Sequence, residues 1–108
     1  MAYNEILVED DKCVSFIREN LSQTAILIQL AEECNEVAQA ALKIVRICQK
    51  ENPTPVTLFE AKQKLQEEIA DFFACYDSIS GLDEDIIDRI ETEKLNRWCV
   101  RLAKRGKL

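Results

Sequence analysis

With 108 residues, 47% apolar and 31% charged, and only two glycines and two prolines, the chain can bury one helical core but has no material for a sheet-and-turn architecture or a second domain. A formal net charge of −6 argues against a duplex nucleic-acid binder, which needs a basic face to displace counterions from phosphates. The opening Met1-Ala2-Tyr3-Asn4-Glu5, followed by Glu9-Asp10-Asp11, has neither a basic leader nor a long apolar run, so a cytoplasmic protein without signal peptide or membrane span is expected.

In chain order, Ile6, Leu7, Val14, Phe16 and Ile17 predict a short helix between residues 5 and 20. Ser22 can cap a second, long helix carrying Leu27, Leu30, Ala31, Cys34, Val37, Ala38, Ala41, Ile44, Val45 and Cys48 at helical spacing. The run Ala25-Ile26-Leu27-Ile28 is apolar on more than one face, which predicts several neighbours or a second subunit there. Asn52-Pro53-Thr54-Pro55 should stop this helix, since proline lacks a donor and pushes the preceding residue out of helical angles.

A third helix is predicted from about Thr57, with Leu58, Leu65, Ile69, Phe72, Phe73, Tyr76 and Ile79 apolar, ending at Ser80-Gly81. Asp83 then caps a fourth, with Glu84 and Asp85 in its first turn, Lys104 and Arg105 near its end, and Ile87, Ile90, Leu95, Trp98 and Leu102 as its apolar positions. Short connections predict an all-α, antiparallel bundle of about four helices, completed by oligomerisation to a homodimer or homotetramer. The five cysteines are widely spaced and show no CxxC pattern, so they read as buried thiols packing as small apolar groups.

Two acidic motifs stand out: Glu32-Glu33-Cys34-Asn35-Glu36 and Glu67-Glu68-Ile69-Ala70-Asp71. Residues three apart share a helical face, so Glu33 pairs with Glu36 and Glu68 with Asp71 at a repulsive cost that something should offset. In an antiparallel hairpin the midpoint between the motifs falls at the Asn52-Pro53 break, so the four carboxylates lie at one height and can converge on a cation. The sequence has no histidine, which removes the ExxH ligands of di-iron bundles and leaves all-oxygen ligation, the preference of Mg²⁺ and also Mn²⁺.

Leu30-Ala31-Glu32-Glu33-Cys34-Asn35-Glu36-Val37, Glu67-Glu68-Ile69-Ala70-Asp71 and the downstream Lys94-Leu95-Asn96-Arg97-Trp98 together resemble the MazG-like all-α nucleoside triphosphate pyrophosphohydrolases. The resemblance covers roughly residues 22 to 105. It implies hydrolysis of a nucleoside triphosphate to monophosphate and pyrophosphate, with Glu33, Glu36, Glu68 and Asp71 as metal ligands, Glu32 as a further ligand or water-orienting group, and Glu67 in an outer role. Two positions depart from the family pattern: Cys75 stands where tyrosine is common, with Tyr76 beside it, and Asn35 where a small residue is common.

Glu32 or Glu33 is the expected proton acceptor. Reflection of the third helix through the Gly81-Leu82 turn places Lys94 beside the acids, with Arg97 and Arg101 on the same face, and Lys43 lies farther along the face of Glu36; these are the expected phosphate contacts. Phe72, Phe73, Tyr76 and Trp98 are available for stacking on a base, though their spacing suits a core. A non-enzymatic helical interaction protein, and a related pyrophosphatase acting on phosphoribosyl-ATP or dUTP, are the competing expectations.

Overall fold

Three of the four helices start where a short polar side chain can satisfy the first free amides. The computed structural model describes residues 9–106, with α1 over Asp10–Asn20, α2 over Gln23–Gln49, α3 over Leu58–Asp77 and α4 over Glu84–Lys104; among the described residues there is no strand. Ser22 Oγ accepts from the Ala25 amide at 3.1 Å and starts α2. Thr57 forms a full capping box, its hydroxyl accepting from the Glu60 amide while the Glu60 carboxylate accepts from the Thr57 amide, each at 3.1 Å. Asp83 Oδ1 accepts from the amides of Asp85 and Ile86 and starts α4. The fold is therefore all-α, as its composition predicts.

The helix ends depart slightly from expectation. α2 stops at Gln49 because Lys50 turns into the left-handed region at φ 62°, before the prolines are reached. α3 stops at Asp77, short of Gly81: Ser78 Oγ donates back to the Ala74 carbonyl at 2.9 Å, and Arg18 takes up the carbonyls of Asp77, Ser78 and Ile79 at 2.9, 3.2 and 3.0 Å. A cation is favoured at the negative end of a helix dipole, so this contact also fixes α1 against the end of α3. Gln23 Oε1 accepts from the Ser80 amide at 2.9 Å beside it. Ile6 and Leu7, expected in the first helix, lie outside the described residues.

The packed centre is the α2–α3 hairpin. Along α2 the buried and half-buried positions Ile26, Leu30, Glu33, Val37, Ala40 and Ile44 advance by alternate steps of four and three. Along α3, Ala61, Leu65, Glu68, Phe72 and Cys75 do the same, and the buried Ile79 follows just beyond its end. This is the seam periodicity of two helices packed along their length. Ala40 and Ala61, 7% and 2% exposed, let the backbones approach near the turn, and both line one groove.

The four helices do not close into a bundle within one chain. α1 lies beside the C-terminal half of α3, where Cys13, Val14 and Ile17 share a groove with Ala70, Phe73 and Ala74. α4 has no packed face along its length: every position is exposed except the half-buried Ile87. The expectation that α4 folds back on α3 is thus corrected, because a short connection permits antiparallel packing without enforcing it. The radius of gyration, 18.1 Å, exceeds the roughly 13 Å of a compact domain of this length. The expected burial of cysteines is corrected for the same reason. Cys13, Cys34, Cys48 and Cys99 are exposed, and only Cys75 is half-buried.

Candidate metal centre

The seam is apolar except at one layer, where each helix contributes a glutamate. Glu33 is half-buried and Glu68 only 5% exposed, because the heptad-like spacing that half-buries Leu30 and Val37 on α2, and Leu65 and Phe72 on α3, puts both carboxylates between the helices. Asp71, one turn after Glu68 and exposed, reaches the same point: ligand atoms of Glu33, Glu68 and Asp71 all lie within 4.8 Å of one another. At an effective dielectric constant of about 20, two full charges at that distance repel by roughly 3 kcal/mol. Burial is tolerated because Lys64 Nζ, one turn before Glu68, pairs with Glu68 Oε1 at 2.8 Å, and Gln29 Nε2 donates to Glu33 Oε1 at 2.7 Å.

The donor set suits a hard divalent cation. All three donors are carboxylates, and Mg²⁺ holds oxygens at about 2.1 Å, so two of its ligands are at most about 4.2 Å apart. The cluster, within 4.8 Å, is wider than that limit by at most about 0.6 Å. The neighbouring sulfur is a poor competitor. Burial first, and then the charges of Glu33 and Asp71 with Cys34, push the Cys75 thiol above its ordinary value of 9.0, so it stays protonated at neutral pH.

Beside the acids, toward the α2–α3 turn, a groove of 330 Å³ opens between the helices. Glu36, Lys43, Lys64 and Glu60 line its rim, and Ala40, Ala61 and Val56 its floor. Glu68, with Glu67 and Glu36 adding to it, raises the affinity of Lys64 for its proton, so this ammonium is fully charged at neutral pH.

The expected site residues thus fall into three sets. Glu33, Glu68 and Asp71 come together. Glu36 and Lys43 flank the groove next to them, with Glu36 outside the three-carboxylate cluster. Glu32 and Glu67 are exposed on the flanks, since adjacent residues on a helix face different directions. Lys94, Arg97 and Arg101 gather with Trp98 in a shallow pocket formed by α4 alone, and α4 does not pack along the hairpin that carries the acids.

Phe72 stacks on Tyr76 with centroids 6.2 Å apart and meets Phe73 edge-on at 5.7 Å. Phe73 and Trp98, which the spacing assigned to a core, are 53% and 58% exposed. Lys64 was not among the sequence candidates. Its spacing four residues before Glu68 is the signal that marks it. Comparison of the chain with protein-family models, with curated proteins and with solved structures returned no match.

Proposed function

We propose that this chain is a cytoplasmic, magnesium-dependent hydrolase that converts nucleoside triphosphates to monophosphate and pyrophosphate, Mn²⁺ being an alternative metal. The observation that carries this reading is the convergence of Glu33, Glu68 and Asp71 from two facing helices, beside a groove rimmed by two lysines. Such a concentration of carboxylate charge across a packed seam lowers stability unless a cation offsets it, and binding sites are where proteins keep that kind of cost.

In this reading Glu33, Glu68 and Asp71 would hold the cation, which would supply Lewis-acid polarisation of the phosphoryl oxygens. Lys64 and Lys43 neutralise the phosphates from opposite walls of the groove. Glu36, one turn from Glu33 and open to water, accepts the proton as water attacks the α-phosphorus, the α–β phosphoanhydride bond breaks and pyrophosphate leaves. Glu32 is less suited to that role because it lies on the exposed flank.

A panel of nucleoside triphosphates incubated with protein and Mg²⁺, with product identification, tests the proposal. Monophosphate and pyrophosphate are the expected products, abolished by chelator and by Glu36→Gln but not by Glu32→Gln. Diphosphate with orthophosphate, or no turnover of any triphosphate, would overturn it.

A further inference from the structure

The groove beside the carboxylates does not end at Lys43. Two further hollows follow along the same flank of α2, the first sharing Gln39 and Lys43 with the groove and the second sharing Arg46 with the first. Glu36, Lys43, Arg46 and Lys50 recur along this flank at the spacing of a single helical face. From Val37 to its cap at Lys50 the helix has these three cations and no acid, in a chain of net charge −6. Among the described residues none of the three forms an ion pair.

Lys50 stands where the backbone favours another residue. Its φ of 62° lies in the left-handed region, in which glycine or asparagine closes a helix with little steric cost. Lysine there places a charge at the end of the track and strains the chain to do so, a kind of strain that gathers at binding sites.

The track is longer than a triphosphate. Each phosphoanhydride link is shorter than one helical turn of about 5.4 Å. With the α-phosphorus at the carboxylates, the γ-phosphate therefore reaches no farther than Lys43, two turns past Glu36. Arg46 and Lys50 stand about 15 and 21 Å past Glu36 along the axis, so only a group attached to the terminal phosphate can meet them. The last hollow suits a nucleoside, with Ile47 and Pro53 as apolar surface and Asn52 and Thr54 as hydrogen-bonding side chains.

We propose that the site also takes dinucleoside polyphosphates, in which a chain of four or more phosphates joins two nucleosides, and that the far nucleoside sits at the α2–α3 turn. The proposal rests on the pyrophosphohydrolase reading of the carboxylates and changes only the leaving group. The oxygen of water bonds to the α-phosphorus as one proton passes to Glu36. The bond from that phosphorus to the bridging oxygen breaks, and the oxygen departs with the electron pair. A tetraphosphate thus yields one nucleoside monophosphate and one nucleoside triphosphate, the latter on Lys43, Arg46 and Lys50 as it leaves.

Diadenosine tetraphosphate, incubated with the full chain and Mg²⁺ in oxygen-labelled water, tests the proposal, with ATP as the reference substrate. The initial products should be AMP and ATP in equal amounts, with the label in AMP alone. Arg46→Gln combined with Lys50→Gly should lower kcat/KM for the tetraphosphate about tenfold, the scale of two exposed charge contacts, and leave that for ATP unchanged. Lys50→Gly suits the left-handed backbone, so its melting temperature should hold or rise. ADP as the product, label in the triphosphate, or a double variant that loses nothing or loses equally on both substrates overturns the proposal. Turnover of ATP without the tetraphosphate overturns it while the pyrophosphohydrolase reading stands, and turnover of neither overturns both.

Discussion

Glu33 on α2 and Glu68 on α3 occupy the same layer of an otherwise apolar helix seam, and with Asp71 their ligand atoms lie within 4.8 Å of one another. Two acids at a layer suited to leucine or valine mean that the seam gives up packing energy for charge at one height. Most of the consequences that can be measured concern that exchange.

Glu68→Gln removes one of three mutually repelling carboxylates from a position that is 5% exposed. In chelator the variant should melt at the same temperature as the wild type or higher. Its affinity for Mg²⁺ or Mn²⁺, measured by calorimetry, should fall at least about tenfold, as for loss of one ligand from a small oxygen set. The rise in melting temperature that the metal gives the wild type should be lost with it. A variant that binds metal as well as the wild type excludes Glu68 as a ligand.

Lys64 competes with any cation for Glu68 while also facing the groove. Lys64→Met should therefore tighten metal binding by about threefold, a modest effect because the lysine is solvent-exposed. Binding of triphosphate should weaken over the same substitution. Opposite signs for the two ligands separate a lysine that serves both partners from one that merely decorates the surface; equal signs would argue for the latter.

The thiol of Cys75 is held above its ordinary value by burial and by Glu33 and Asp71, whereas Cys99 is exposed on α4. Iodoacetamide at pH 8 should label Cys99 well before Cys75, as read by peptide mass spectrometry. Raising the pH should narrow the gap, because the thiolate fraction of Cys75 grows last. Equal rates at pH 8 would contradict the assigned environment.

Arg18 holds three carbonyls at the end of α3 from a helix distant in sequence. Arg18→Ala should cost about 1–2 kcal/mol in urea denaturation, the scale of charge-assisted hydrogen bonds that are partly exposed. Arg18→Lys should recover little, because one ammonium does not reproduce the guanidinium fork. Loss of nothing in either variant would mean that α1 is not anchored there.

Glu60 titrates below its ordinary value of 4.5 because the backbone and then the hydroxyl of Thr57 donate to it. A carboxylate depressed in the folded state contributes stability above its unfolded pKa, and this is lost as the pH falls through the lower folded value. Thr57→Val should lower the melting temperature near pH 7. The deficit should shrink below the ordinary carboxylate range, where Glu60 is protonated in both proteins. A deficit independent of pH would show that the capping box contributes no charge-linked stability.

Much of this architecture could be read from the chain itself. Ser22, Thr57 and Asp83 mark three helix starts because their side chains accept from amides within the first turn, a local interaction. The matched height of the two acidic motifs is likewise a matter of counting from one break, and the seam places Glu33 and Glu68 accordingly. Glu36 was harder to place, since residues three apart share a broad face but not one point in space. Its position at the groove rim depends on how far the two helices are rotated about their axes.

The course of α4 was not legible at all. Its amphipathic pattern states that one face needs cover, not which surface supplies it. Sequence alone determined the helices, their caps and the pairing of the acidic motifs, because those follow from side chains reacting with their own backbone and from the regular rise of a helix. Only the tertiary structure decided that α1 rather than α4 lies along the end of α3, and that among the described residues nothing covers Leu27, Ile28 and Leu42 on α2. Packing is a competition among similar apolar faces, and its outcome turns on small differences in fit that no single helix records.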